Sequence, residues 1–467
     1  MKKVALYILA IISIIKITVL TTGCANIVPP TGGPRDSLPP VLIKTVPPDS
    51  ARNFSGKKIT FTFDEYVDVQ DVQANLMVSP VPKINPVVER KLHTVTVKLR
   101  DTLEANTTYA INFGNAIRDV HEANVLKNFT YVFSTGNTID SNTLSGRVLL
   151  AETGKADSTL IVVLHTSPED SAVVNKRPRY YTRLDSSGNF HFRFLAPGAY
   201  HIYAMKDESG TKRYMSKTQL FAFADKPVMV AGGEPSVLLY AYNSKEEEKK
   251  PAAPAAVTSW PKKEEDRRLK YQANLQGDQL DLLGDFILTF NDPLKTFDTS
   301  KVVLTDEKFN RLGGYTISAD SSNRIYTLKY PWQAATTYQL ILDKEFASDS
   351  ADRKLLKTDT LLIKAKSEAE YGSVRLRFTN LDTANRPVLQ LVQGGSVAFS
   401  RLLTGKELYV KLFKPGDYEI RVLYDANNNG VWDTGDFFGK HLQPERVLSI
   451  NKKLTVRADW DNEVTVE

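Results

Sequence analysis

The residues best suited to chemistry lie in one short run, Tyr424-Asp-Ala-Asn-Asn-Asn-Gly-Val-Trp-Asp-Thr-Gly-Asp436. Asp425, Asn427, Asn429, Asp433 and Asp436 stand at positions 1, 3, 5, 9 and 12 of a twelve-residue loop. Gly430 occupies the sharp sixth position, and Val431 would offer its carbonyl at the seventh. Oxygen ligands at alternate positions wrap a hard cation, so the spacing predicts a calcium site built from those six residues. Position 12 is Asp rather than the longer Glu, and two ligands are neutral amides, which places the affinity in the weak range of roughly 10⁻⁴–10⁻³ M. The flanks, Tyr418 to Tyr424 and Phe437-Phe438, read as strands. The same residues also describe a polar hairpin loop in which Asn and Asp supply left-handed conformations. Either way the run reads as a brace for one turn rather than a switch or an active site. A second run at the corresponding place, Met205 to Tyr214, keeps only Asp207 and Ser209 as oxygen ligands and carries lysines. It is expected to bind no ion.

Constellations for catalysis are sparse. The six histidines, His93, His121, His165, His191, His201 and His441, form no H-E-x-x-H pair. His191 and His201 are expected on adjacent strands, as surface residues rather than a metal pair. Gly394-Gly-Ser-Val-Ala398, with Asp433 and His441 after it, approaches a nucleophile elbow but lacks the last Gly and the strand–turn–helix context. Asp64-Glu65 with Asp68 could pair carboxylates for acid–base work, yet the position reads as a solvated turn at a strand end. No phosphate-cradling Gly-rich loop occurs. The reading is therefore no enzyme and no small-molecule substrate. The formal charge of +6 is small for 467 residues and the basic residues are interleaved with acids, which argues against a nucleic-acid surface. The stretch from Lys176 to Arg183 is the one basic exception, read as a solvated loop and strand start.

The elements that position these residues start at the N-terminus. Lys2 and Lys3, an apolar run from Val4 to Leu20, and then Thr21-Thr22-Gly23-Cys24 describe a secretory signal. With the only cysteine of the chain at its end, the segment resembles the lipobox of bacterial lipoproteins. That resemblance implies lipidation of Cys24, an anchor in the membrane, and a mature chain without disulfides. The alternative is an uncleaved anchor, for which the run is short and interrupted by Lys16. The Pro/Gly-rich segment after Cys24 is too poor in large apolar residues to fold and reads as an extended tether.

Beyond it the pattern is β. Lys58 to Phe63, His93 to Leu99, Thr108 to Phe113 and Phe129 to Phe133 alternate apolar with polar residues between turn formers. The chain also repeats itself: Ile59-Thr-Phe-Thr-Phe-Asp-Glu65 returns as Phe286-Ile-Leu-Thr-Phe-Asn-Asp292, and Glu104 to Ile111 as Gln333 to Leu340. Leu195-Ala-Pro-Gly-Ala-Tyr-His-Ile202 returns as Phe413-Lys-Pro-Gly-Asp-Tyr-Glu-Ile420. The echoes keep their order, so a pair of domains is used twice. Each Pro-Gly is expected to set a type II turn.

The first member of each pair resembles the bacterial Ig-like domain of S-layer and surface proteins, on the Pro39-Pro40 and Pro47-Pro48 opening, the strand from Ile59, the Thr108-Tyr109 strand and the closing Phe133-Ser-Thr135. The second member resembles the prealbumin-like sandwich of carboxypeptidase regulatory domains, on Ser145 to Val148, Asp185 to Phe190 and Leu195 to Tyr200. The expectation is an all-β chain of four β-sandwiches after a lipoprotein signal: 1–23 signal; 24–40 lipidated Cys and tether; 41–138 Ig-like; 139–242 prealbumin-like; 243–268 charged Pro/Ala linker; 269–368 diverged Ig-like; 369–467 prealbumin-like with the candidate calcium loop. The resemblances imply a non-enzymatic, lipid-anchored envelope scaffold or adhesion module of the outer membrane, on its periplasmic or outer face. Its partners would be envelope proteins or polysaccharide. Trp432, Trp332 and Tyr180-Tyr181 are the aromatics that carbohydrate binding would need exposed.

Overall fold

The computed structural model describes residues 35–243 and 268–467. The signal, Cys24, the tether to residue 34 and the linker from 244 to 267 lie outside the described residues. Among the described residues no helix is long and apolar enough to cross a membrane. The described residues fall into two compact units, those up to Ile139 and those from Asp140.

The first unit is one sandwich. Its larger sheet runs Leu42–Val46, Lys58–Phe63, Thr94–Lys98, Val87–Lys91, and the facing sheet Met77–Ser79, Thr108–Asn112, Thr130–Ser134. The period of two in Lys58–Phe63 sends Ile59, Phe61 and Phe63 inward, all at most 1% exposed. Phe61 meets Phe113 and Tyr131 edge-on at 5.4 and 5.2 Å. Burying side chains of this size stabilises by about 1.5–3 kcal/mol each, which is what fixes the face each strand turns inward.

The second unit holds three sandwiches. The second sandwich of the chain pairs a sheet of Asn189–Leu195, Asn142–Leu150 and Ser236–Ala241 with one of Tyr180–Arg183, Leu160–His165, Gly198–Lys206 and Phe221–Phe223. The fourth repeats this plan with Glu407–Phe413, Gly372–Phe378 and Asp461–Val466 against Ser396–Leu402, Pro387–Gln393, Gly416–Tyr424 and Arg446–Val456. In both, the first and last strands of the sandwich lie parallel. Gly146 sits at that closure because a Cβ there would stand 2.1 Å from the Val237 carbonyl oxygen. The third sandwich sets Tyr271–Ala273, Phe286–Phe290, Ile325–Lys329 and Thr316–Ala319 against Gln279–Leu280, Asp359–Ala365, Thr337–Leu342 and Val302–Asp306.

The sequence echoes have structural counterparts. The Tyr109 hydroxyl accepts from Glu104 N at 2.8 Å, and the Tyr338 hydroxyl from Gln333 N at 3.0 Å. Tyr200 donates to Ala196 O at 2.7 Å, and Tyr418 to Lys414 O at 3.0 Å. The Pro-Gly pairs differ from expectation. Gly198 and Gly416 have φ of 157° and 150°, not the roughly +80° of a type II turn, and each begins a strand.

Candidate functional site

The loop from Asp425 to Glu445 joins strands Gly416–Tyr424 and Arg446–Val456 of the fourth sandwich. Asp425 is only 3% exposed. Its Oδ1 accepts from Asn428 N at 2.6 Å and its Oδ2 from Gly430 N at 2.8 Å, which folds the first half of the loop around one carboxylate. Asn428 and Gly430 take the left-handed backbone, φ 63° and 76°. Asn427 and Asn429 both donate side-chain amides to Asp433 Oδ2, at 2.7 and 2.6 Å. Their own Oδ1 atoms accept from Asn429 N and Val431 N.

Asp436 is not drawn into this group. Its carboxylate accepts from Gly439 N at 2.9 Å and Lys440 N at 3.1 Å and so closes the next turn. The residue that closes the first half is Glu445, whose Oε1 accepts from Ala426 N at 2.8 Å and Oε2 from Asp433 N at 3.1 Å. Burial raises the Glu445 pKa, and the charges of Asp425 and Asp433 raise it further. No Lys or Arg among the described residues pairs with Asp425, Asp433 or Glu445. Among those residues, too, no three His, Cys, Asp or Glu side chains are gathered as a metal cage. A cleft of about 370 Å³ opens beside the loop, lined by Arg386, Tyr424, Asp425, Glu445 and Arg446 among others.

The second half of the loop leaves its own domain and crosses to the second sandwich. Phe437, 5% exposed, enters a ring of that sandwich's aromatics, 5.6 Å from Tyr203, 5.2 Å from Phe221 and 4.8 Å from Phe223. Gly435 lies against Tyr242, where a Cβ would stand 2.7 Å from the ring. Thr434 donates to Asn243 O at 2.8 Å, and Gln443 to Phe223 O and Asp225 Oδ1 at 3.0 and 2.7 Å. Val447 N donates to Ala151 O, and Lys155 pairs with Glu419 at 2.8 Å. Trp432 joins the halves: it packs on Val388, Leu423 and Val447 and donates Nε1 to Glu445 O at 2.7 Å. Nothing in the period or type of Phe437 distinguished it from an ordinary strand residue.

The corresponding loop of the second sandwich is closed by the backbone of Lys212. Lys212 N donates to Asp207 Oδ2 at 3.1 Å, and Lys212 Nζ lies 4.6 Å from the centre of the Tyr181 ring. The other candidates separate. His191 lies on Asn189–Leu195 and His201 on Gly198–Lys206, in different sheets, so the expected adjacency fails. The neighbour of His201 is His165, directly across the ladder. His165 is 2% exposed with Nε2 unpartnered, and burial depresses its pKa to about 4. Gly394 and Gly395, φ 58° and 85°, turn the hairpin between Pro387–Gln393 and Ser396–Leu402, which is not an elbow into a helix. Asp68 is held by Arg90 at 2.7 Å, while Asp64 Oδ1 accepts from Val41 N. Tyr180 is buried, Trp332 packs on Tyr330 and Tyr338, and Trp432 is held as described, so these aromatics form no exposed row.

No curated protein matches the chain. Among solved structures it is similar to the major pilin subunit BcpA of Bacillus cereus, at 9% identity over 70% of this chain and 99% of that one, TM-score 0.17. The S-layer protein rSbsC gives 13% identity over 92% and 54%, TM-score 0.16. An L,D-transpeptidase from Mycobacterium smegmatis gives 14% over 32% and 73%, TM-score 0.16. Residues 36–135, the first sandwich, match the family model of the bacterial Ig-like domain.

Proposed function

We propose that the protein is a non-enzymatic scaffold of the cell envelope, lipid-anchored through Cys24 and built to hold its last three sandwiches in fixed relation. The observation that carries this reading is the loop 425–445, which spends its most buried apolar side chain, Phe437, on joining two sandwiches rather than on lining a site. The third and fourth sandwiches are likewise tied, through Tyr371: its hydroxyl donates to Asp281 at 2.6 Å and accepts from Leu282 N at 2.7 Å. Apolar and aromatic plugs of this kind stabilise a rigid assembly. The bacterial Ig-like match over residues 36–135 supports a place at the cell surface or in the envelope.

Calcium fits this reading as a brace for the first half of the loop. Three carboxylates, Asp425, Asp433 and Glu445, carry no cationic partner among the described residues. Half a turn of the Asn427 and Asn429 amides would present oxygen where nitrogen now meets Asp433, at the loss of the bonds their Oδ1 atoms accept from Asn429 N and Val431 N. The ligand set would then be Asp425, Asn427, Asn429, the Val431 carbonyl and Asp433, with Glu445 in place of Asp436. A long carboxylate arriving from outside the twelve-residue run answers the short Asp at its end.

Cross-linking of the tagged full chain in intact cells tests the scaffold. Stoichiometric recovery of one or two envelope proteins is expected. Retention on envelope polysaccharide with no protein recovered would replace it with carbohydrate binding.

A further inference from the structure

The first sandwich carries a surface that its repeat does not. Where Lys58–Phe63, the Lys91 to Thr94 turn and Ile117–Asp119 meet, Val41, Tyr66, Leu92 and Val120 are 58, 45, 63 and 49% exposed. Backbone bonds hold them together: Asp64 N to Val41 O, Val67 N to Leu92 O, Val120 N to Tyr66 O, with the His93 ring 4.3 Å from Tyr66. Around this apolar group stand Asp36, Asp64, Glu65 and Glu122. Glu65 has its pKa raised by burial and then by the charges of Asp119, Asp64, Asp36 and Glu122. No Lys or Arg among the described residues pairs with the carboxylate of any of the four rim acids; the Arg35 guanidinium reaches only the Glu122 backbone carbonyl, at 3.5 Å.

The third sandwich has the same corner built from different residues. Its backbone bonds are equivalent, Asn291 N to Lys270 O and Leu294 N to Asn323 O, and Leu294 lies opposite Asp349 as Val67 lies opposite Asp119. There the corresponding positions are Lys270, Asn323 and Ser350, all exposed, and the half-buried Pro293. The acids are neutralised from within: Arg353 Nε donates to Asp349 at 2.6 Å and its Nη2 to Asp292, the counterpart of Glu65. In the first sandwich Asp119 is satisfied by the backbone of Glu122, Ala123 and Asn124, and Glu65 is left without a guanidinium. Leu92 sharpens the contrast. It holds φ 52°, a left-handed conformation that opposes its Cβ, at the position where the repeat uses Asn323 at φ 53°. An exposed Leu kept in such a backbone points to a contact it makes.

We propose that this corner docks a basic, partly apolar segment of another envelope protein, whose Arg or Lys enters beside Glu65 as Arg353 enters beside Asp292. Apolar side chains ringed by uncompensated acids fit a partner of opposite charge. The surface deepens the scaffold reading and needs neither the lipid anchor nor the ion.

The test places a photo-cross-linking phenylalanine at Tyr66 of the full-length chain in its own cells, with the same reporter at Asn323 as reference. The expected result is an adduct from Tyr66 alone, on one protein, within a peptide bearing Arg or Lys. Its yield should fall at least tenfold with Glu65→Arg and several-fold with Leu92→Asn, at unchanged melting temperature. Glu65→Gln stands in if the Arg variant melts early. Adducts to a second copy, to lipid or to polysaccharide would overturn the proposal, as would no adduct or one indifferent to Glu65. If the chain still recovers envelope proteins in that case, the scaffold reading survives and only this surface is lost.

Discussion

The second and fourth sandwiches share one strand plan and part company at one sheet face. Matching the ladders through Ile202 and Ile420, the second places Tyr203, Phe221 and Phe223 where the fourth has Arg421, Val447 and Ser449. The second thus offers an aromatic socket, and the fourth does not. The loops differ in the complementary sense. The fourth carries the plug, Phe437, whereas the loop from Asp207 in the second closes on its own Lys212. A head-to-tail contact between identical domains tends to propagate from molecule to molecule. With plug and socket each confined to one copy, the contact closes within the chain. Duplication supplied the frame, and divergence at one loop and one face made the pair a single block.

Removing the plug is the largest break available to this comparison. Phe437→Ala should cost about 3–5 kcal/mol, since it empties a buried aromatic site whose walls belong to two folded sandwiches. The loss should fall on the docking. Calorimetry is expected to resolve the unfolding of the second unit into separate transitions in the variant and to give coupled melting in the unaltered chain. Coupled melting retained in Phe437→Ala would mean that the sandwiches are held by something other than the plug.

A second asymmetry lies in the neighbouring strands. His165 of the second sandwich corresponds to Val392 of the fourth, both 2% exposed. His165 cannot readily take a proton while buried, and its folded pKa is about 4 against 6.5 for the exposed side chain. A depressed His pKa means the unfolded chain binds more protons, so the contribution is intact above pH 6.5 and is lost as pH falls from 6.5 toward 4. The full difference is about 3 kcal/mol. His165→Val, which installs the residue of the other copy, should flatten the stability of the second sandwich across that window. An unchanged acid limb would place the titration on another group.

What could be read from the sequence follows from range. Period-two alternation is a local property, so Ile59, Phe61 and Phe63 announce their strand and face without help. The doubled echoes likewise disclose the repeated sandwich. The polar turn was visible in Asp425 to Asp433 because its Asp and Asn side chains lie on alternate positions of one short run. Glu445 was not, because only the return of strand Arg446–Val456 beside Tyr424 brings it to Ala426 and Asp433. Phe437 looked like a strand residue because its partners sit more than 200 positions away in sequence. Even the exposed corner of the first sandwich emerges only when the backbone shows which residues of the third occupy the same places.

The smallest expected effect concerns the first half of the loop and asks whether the fourth sandwich differs from the second in binding an ion at all. With a dissociation constant of roughly 0.1–1 mM, 5 mM calcium would stabilise the native chain by about 1–2 kcal/mol over chelator. A thermal melt of the full chain in the two conditions reads this as a shift of a few degrees. Glu445→Gln should abolish the shift and Asp436→Asn should leave it, because Asp436 serves only the turn to Gly439 and Lys440. The opposite pattern would restore the twelfth position as the closing ligand. No shift in any variant would leave a turn held by its own hydrogen bonds, with Asp425 already satisfied by Asn428 and Gly430. The clasp would then be as rigid without an ion, and the difference between the two loops would reduce to the aromatic plug alone.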